Sequence, residues 1–217
     1  PEFLTPKERF WHSFINPYQI ARRSDALIAV SDSTKQDLIG LYGIAPEKIH
    51  TVHSGISAEF KPKPKTIKQQ PKTILYLGSM EGRKNVATLV RAFDLLRRKI
   101  KQDKIKLLLA GPGNIPKDYQ QIPSVIFLGQ VNGKQRAELY QNASLFVYPS
   151  FFEGFGFPPL EAMSCGLPVV SSCTSSLPEA LGDAAILVNP HKTHEFAQAM
   201  HALLIDEELY AHYRKKG

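Results

Sequence analysis

Cysteine is nearly absent from this chain, with two residues, Cys165 and Cys173, among 217. So few thiols exclude a disulfide framework, and the small residues around both fit reduced core cysteines of a cytosolic protein. No spaced Cys/His set accompanies them, so a zinc site lacks its ligands; His50, His53, His191 and His194 are scattered and read as surface or packing residues. No apolar run reaches the ~20 residues of a membrane span, and no apolar core of a signal peptide is present. An Asp-x-Asp pair, which would hold a divalent ion beneath a diphosphate, is missing, and no metal is expected. Several phosphate-binding and catalytic signatures are missing too. Gly111-Pro-Gly-Asn-Ile-Pro lacks the third glycine of the dinucleotide fingerprint. Gly129-Gln-Val-Asn-Gly133-Lys134 is one residue short of a P-loop and has no Ser or Thr after the lysine. No Gly-x-Ser-x-Gly elbow occurs.

What is present is ordinary in bulk: 43% hydrophobic and 22% charged residues suit a globular protein of one large or two small domains. The net charge of +7 is partly local, because Lys61, Lys63, Lys65, Lys68 and Lys72 crowd one stretch. A basic surface suits anionic partners, among them nucleotides and an anionic membrane met peripherally. Nucleic acid is not expected, since no aromatic-basic binding motif accompanies the lysines.

Residues 60–72 carry three prolines and no apolar period, the composition of an exposed linker. Beyond it, short continuous apolar runs alternate with helical patterns. Strands are predicted at Thr73–Leu77, Lys106–Ala110, Val125–Leu128, Leu145–Tyr148, Pro168–Ser171 and Ala185–Val188, each buried on both faces as in a parallel sheet. Helices are predicted from Val86, capped by Asn85, and over Lys134–Gln141, Pro159–Ser164 and His194–Leu204. The alternation predicts a doubly wound α/β domain that takes its ligand at the carboxyl ends of its strands. Before the linker the grammar repeats, with helices near Ser13–Arg23 and Ser33–Leu41 and strands Ala26–Val30 and Lys48–Val52. So short a part makes a poor core by itself. The chain opens on Pro1 rather than methionine and is expected to be a fragment.

The most informative segment is Glu153-Gly-Phe-Gly-Phe-Pro-Pro-Leu-Glu161. It follows a buried strand, its prolines suit the first turn of a helix, and its glycines let backbone approach a ligand. Glu153 therefore falls in a loop and Glu161 about one turn into a helix whose start favours an anion. Two carboxylates able to accept from sugar hydroxyls, beside an anion site, are what a nucleotide sugar needs. Gly78-Ser-Met-Glu-Gly-Arg83-Lys84-Asn85 adds two cations at another helix start, where only a phosphate or solvent would favour them.

Taken together these pieces resemble the retaining, metal-independent glycosyltransferases of family four, which have the GT-B fold of two facing Rossmann-like domains. The resemblance runs over nearly the whole chain, through Ser24–Ser31, Lys48–Gly55, Leu77–Ser79, Arg83–Asn85, Leu109–Pro112, Pro149-Ser150, Glu153–Glu161, Gly166–Val170 and Ser175–Ala184. Its Arg-Lys-Asn and Ser-Ser-Leu-Pro-Glu versions look most like bacterial mannosyltransferases of polysaccharide assembly. It implies that 1–59 is the tail of an N-terminal, acceptor-side domain, 60–72 a linker, and 73–217 the C-terminal donor-binding domain. It implies roles by position as well. Lys84 and Arg83 would neutralise the donor diphosphate, and Glu153 would contact the transferred sugar, helped by the N–H groups of Gly154, Phe155, Gly156 and Phe157. Glu161 would hold the ribose hydroxyls; Gly78 and Ser79 would border the phosphates; Phe127, Leu128 and Val131 would lie near the base. Many relatives carry arginine where Ser79 stands, so phosphate binding would rest more heavily on Arg83 and Lys84. The resemblance further implies a donor such as GDP-mannose, a glycan or lipid-linked acceptor, no cofactor, and a cytoplasmic place, peripheral on the inner membrane face. A fragment of this kind would bind donor but transfer sugar poorly. A non-catalytic nucleotide-sugar-binding subunit would carry the same residues, and a GT-B sugar epimerase would fit the paired glutamates poorly.

Overall fold

A computed structural model describes residues 9–10, 14–63, 72–100 and 105–217. The first part contains helix α1 (Pro17–Arg23), strand β1 (Leu27–Ala29), helix α2 (Asp32–Tyr42) and strand β2 (Ile49–Thr51), with β1 and β2 paired in parallel. The start and end of α2 are both written in the sequence. The Ser31 side chain accepts from the Thr34 N–H, and Gly43 closes the helix at φ 60, a left-handed value that suits glycine. The buried apolar cluster of this part is small, formed by Ala21, Ala29, Ile44 and Ile49. Ile28 and Leu41 stand exposed.

The second part is a six-stranded, wholly parallel sheet in the order β5-β4-β3-β6-β7-β8. Its strands are β3 (Lys72–Leu77), β4 (Ile105–Ala110), β5 (Val125–Gly129), β6 (Leu145–Tyr148), β7 (Val169–Ser172) and β8 (Ile186–Val188). The helices between and after them are α3 (Val86–Lys99), α4 (Lys117–Gln120), α5 (Gly133–Asn142), α6 (Phe157–Ser164), α7 (Leu177–Leu181), α8 (Thr193–Ile205) and α9 (Glu207–Lys216). The expected doubly wound fold is borne out, with every predicted strand found within about two residues of its bounds. The core lies where consecutive apolar residues of the central strands meet the helices. Leu75, Tyr76, Phe146 and Tyr148 from the sheet and Leu89, Phe93 and Phe196 from α3 and α8 are fully buried. Each such side chain contributes roughly 1.5–3 kcal/mol by leaving water.

Several details depart from the sequence reading. Strands β5 and β8 are only partly buried because they form the two sheet edges, so the expectation of burial on both faces fails there. Asn85 holds the start of α3 but does not cap it: it is left-handed at φ 54, and its amide donates to the carbonyls of Pro149 and Pro190 at 3.0 and 2.9 Å. Cys173 is exposed rather than in the core, while Cys165 is buried. Helices α4, α7 and α9 were not foreseen. Of the expected linker, residues 64–71 lie outside the described residues, while Phe60 at its start is buried against Tyr140.

The strand order reverses between β3 and β6, so the loops after these two strands diverge and leave a crevice. Close backbone contacts fix its floor. Gly78 N–H donates to Ala110 at 2.9 Å and Met80 N–H to Pro112 at 2.9 Å. Gly111 makes this possible, because a Cβ on it would sit 1.9 Å from the Gly78 oxygen and its φ is 139.

The first part docks on the crevice rim through the N-terminus of α2. Glu179 in α7 accepts from the N–H groups of Asp32 and Ser33 at 2.7 and 3.1 Å, and His53 Nε2 lies 2.6 Å from the same carboxylate. The helix dipole and free N–H groups favour a carboxylate there. Burial pushes the Glu179 carboxyl up, but the Asp32 and Ser33 N–H groups and His53 outweigh it and hold the group below its ordinary value. A depressed carboxyl stabilises the fold in full above its unfolded range and ceases to as pH falls through the lowered value. Glu179→Gln should therefore be less stable than the parent by about 1–2 kcal/mol at neutral pH, a gap that closes as the solution is acidified past the carboxylate range. Gly111→Ala should cost about 3 kcal/mol or more, read as a shifted denaturation midpoint, whereas Gly55→Ala, with open space at its Cβ, should change little.

Candidate functional site

Three charged side chains meet at the reversal point. Lys84 and Arg83 come from a short 3-10 turn, Gly82–Lys84, between β3 and α3; Glu153 comes from the loop between β6 and α6. Lys84 Nζ lies 2.7 Å from Glu153 Oε1 and donates to the Tyr148 hydroxyl at 2.8 Å. Arg83 Nη1 reaches Glu153 Oε2 at 3.3 Å and the Phe152 carbonyl at 2.9 Å. The backbone ties the two loops together as well, with Phe151 N–H donating to the Arg83 carbonyl at 2.9 Å. The Lys84 and Glu153 side chains are only 11% and 10% exposed, so this is a desolvated ion pair. Such pairs add little stability over an apolar replacement, yet removing one partner costs about 3–5 kcal/mol. Burial first, and then the Glu153 charge, push the Tyr76 and Tyr148 phenols well above the ordinary tyrosine range. Both therefore stay protonated. Tyr76 spends its proton on the Ser79 carbonyl at 2.7 Å.

The loop that carries Glu153 is braced from behind by a turn at Thr174–Ser176. Glu153 N–H donates to Ser175 Oγ at 2.9 Å, and Ser176 Oγ donates to the Glu153 carbonyl at 3.0 Å. Ser31 Oγ, fully buried, donates to the Gly154 carbonyl at 2.8 Å. Carbonyl groups of the loop are thus satisfied, whereas the N–H groups of Gly154, Phe155, Gly156 and Phe157 meet no acceptor among the described residues. Helix α6 opens at Phe157, so Pro158 and Pro159 remove two donors from its first turn. An anion at this end would meet the loop amides and the dipole more than the helix's own N–H groups.

Glu161, also buried, lies a turn further on and is already engaged. Arg136 Nη2 of α5 donates to both of its oxygens at 2.5 Å, and the Tyr140 hydroxyl donates to Oε2 at 2.9 Å. Phe127 is half-buried and Leu128 exposed on edge strand β5, and half-buried Val131 follows it. Gly78 and Ser79 line the floor. The site residues expected from sequence thus fall on the loops and strand ends around the crevice: Arg83, Lys84 and Glu153 are in direct contact, and Glu161 forms a separate cluster with Arg136 and Tyr140.

Several contributors were not foreseen. Tyr76 and Tyr148 read as ordinary strand residues, and Arg136 as one of many charged positions on a short helix. Ser175, Ser176 and Glu179 belong to a segment singled out in the sequence, but without a role. His53, read as a surface or packing residue, lies against the Glu179 carboxylate and 5.8 Å from the Phe155 ring. Among the described residues no group of three or more His, Cys, Asp or Glu could hold a metal ion, and no helix is long and apolar enough to cross a membrane.

Comparison with known proteins places these loops in a family. Residues 57–217 match the family model for glycosyl transferases group 1, and residues 1–60 that for glycosyltransferase family 4. The chain is 34% identical over 208 residues to O-antigen chain mannosyltransferase B of Escherichia coli, an alignment covering 88% of this chain and 54% of that protein. It is 31% identical over 222 residues to the serotype-specific mannosyltransferase WbdA of Escherichia coli, covering 93% of this chain and 27% of that one. The chain therefore spans about half the length of the first relative and about a quarter of the second. Among solved structures, Anabaena HepE in complex with UDP and glucose superposes with a TM-score of 0.81 at 21% identity, over 99% of this chain and 63% of that one. That likeness shows a shared fold, the α/β class expected for GT-B glycosyltransferases. By its sequence, this chain belongs to the glycosyl transferases of group 1.

Proposed function

We propose that the protein transfers a hexose, mannose in the reading we favour, from a nucleoside diphosphate sugar to a glycan or lipid-linked acceptor with retention at the anomeric carbon. The observation that supports it most is the meeting of Arg83, Lys84 and Glu153 where the strand order reverses, beside loop amides from Gly154 to Phe157 that meet no acceptor among the described residues. Lys84 and Arg83 converge there with Glu153 between them and exposed Glu81 3.6 Å from Arg83, and an entering diphosphate would share or replace these carboxylates as the partner of both cations.

In this reading the donor's phosphates lie against Lys84 and Arg83, with Gly78 and Ser79 beneath them. The bond from the sugar's anomeric carbon to the phosphate oxygen breaks, and its electron pair stays with the phosphate. Lys84, Arg83 and the loop amides stabilise that growing charge, which is the part of the reaction that fixed charges accelerate most. The acceptor oxygen then bonds to the same face of the anomeric carbon, and its proton goes to the departing phosphate oxygen. Glu153 accepts from the sugar's hydroxyls and faces the positive charge that develops on the ring. Charge compensation by side chains lets this scheme run without a metal ion. Glu161 is assigned to the ribose, and Phe127, Leu128 and Val131 to the neighbourhood of the base. Mannose and a guanine nucleotide are favoured because both relatives described above are named as mannosyltransferases. HepE, a more distant protein, is seen with UDP, so uridine is the alternative. Exposed Lys61 and Lys63 would face an anionic membrane if the acceptor is lipid-linked.

Thermal unfolding of the chain with GDP, GDP-mannose, UDP and ADP tests the reading. One nucleotide at ~100 times its dissociation constant should add about 2.7 kcal/mol, and its sugar conjugate should be sensitive to Glu153→Gln. A folded chain that none of the four stabilises would sink the donor-site assignment.

A further inference from the structure

The geometry points to Arg136 as the positioning residue for the ribose end of the donor: it acts through Glu161, holding that carboxylate so that one oxygen is left to accept from a sugar hydroxyl. The inference rests on the donor-site reading above and adds to it a residue outside the two-glutamate segment.

Glu161 is 6% exposed and cannot sit there as a lone charge. A carboxylate offers about four acceptor positions. Arg136 Nη2 takes one on each oxygen at 2.5 Å, and the Tyr140 hydroxyl takes a second on Oε2 at 2.9 Å. Oε2 is thereby filled, and the one position left is on Oε1. The Tyr140 phenol is fully buried, and burial and then the Glu161 charge push it well above its ordinary range, so it remains a donor.

Arg136 is itself fixed from two sides. Its guanidinium lies 5.6 Å over the Phe60 ring, and Phe60 meets Tyr140 edge to face at 5.9 Å. A capping box of Asn132 and Gln135 sets the start of α5 one turn before it, and Arg136 N–H donates to the Asn132 carbonyl at 2.9 Å. A residue serving only to neutralise Glu161 could be buried with it. Instead the Arg136 side chain is 32% exposed against 8% for Glu161, so part of it borders solvent while the carboxylate does not. Its Nε is enclosed and finds no partner among the described residues, so both of its hydrogen bonds to Glu161 run through Nη2. Without Arg136 only Tyr140 would hold the carboxylate, which could then turn its free oxygen away from a ribose.

The test compares GDP, UDP and ADP with their 2′,3′-dideoxy counterparts by calorimetry on the parent chain, Arg136→Met, Arg136→Lys and Glu161→Gln. The parent should bind its preferred nucleotide roughly 10- to 100-fold tighter than the dideoxy form, the loss expected for hydrogen bonds to a charged acceptor. Arg136→Met should shrink that ratio to within about threefold while the dideoxy form binds as before, and should add nothing further in the Glu161→Gln background. Arg136→Lys, which keeps a single charged nitrogen able to meet both oxygens but on a more flexible stem, should recover part of the ratio. If Arg136→Met weakens both forms in parallel and leaves the ratio intact, Arg136 is structural and the inference is wrong. If the parent binds a nucleotide but does not discriminate its dideoxy form, Glu161 does not read ribose and the inference falls while the donor site stands. If no nucleotide binds the parent, the donor-site reading itself fails and takes the inference with it.

Discussion

A carboxylate held out of water between a lysine and an arginine is the constraint around which the rest of the site is arranged. Glu153 is buried and needs Lys84 and Arg83 beside it, and Lys84, nearly as buried, needs Glu153 in return; Arg83 is more open and also meets Glu81 at 3.6 Å. The requirement explains the surrounding hydrogen bonds. The Arg83 carbonyl accepts from Phe151, Asn85 pins the loop after β6 through Pro149, and Ser175 and Ser176 hold the Glu153 backbone on both sides. An apolar trio would fold at least as well. That the chain instead keeps three charges at the strand reversal is the physical reason to look for an anionic ligand there.

The two glutamates of the most informative segment turn out to be paired in opposite ways. Glu153 meets cations from its own crevice, so an entering diphosphate would share or replace it as their partner. Glu161 is held from the next helix by Arg136 and Tyr140 and keeps one acceptor position open. In the proposed reaction the first carboxylate would face the changing charge and the second would accept from a neutral hydroxyl. The first part of the chain joins the same network, since Ser31 bonds the Gly154 carbonyl and the α2 N-terminus grips Glu179. The first part of the chain thereby contacts the Glu153–Phe157 loop and helix α7 directly.

Much of this was legible in the sequence because its signals are local. Continuous apolar runs marked the parallel strands, and glycine, proline and charge marked the loops at their carboxyl ends. What escaped was set by packing over long separations. Asn85 has the right identity to cap α3, yet tertiary acceptors at Pro149 and Pro190 claim its amide. β5 is apolar enough for a central strand but lies at the edge, and strand order is not written in any one strand. Tyr140 and Arg136 acquire their meaning only when α5 lies beside α6, and Cys173 is exposed although its neighbours are small. The contact of His53 with Glu179 spans 126 positions and carries no local mark.

The central claim is that Lys84 serves a diphosphate. Its most direct test is the affinity of the preferred nucleoside diphosphate and its monophosphate for the parent chain and for Lys84→Met, with folding of each confirmed beforehand. The account predicts that the parent favours the diphosphate by at least about tenfold and that the preference disappears in the variant, as expected for losing a charged hydrogen bond to the outer phosphate. A preference that survives the substitution unchanged would contradict it.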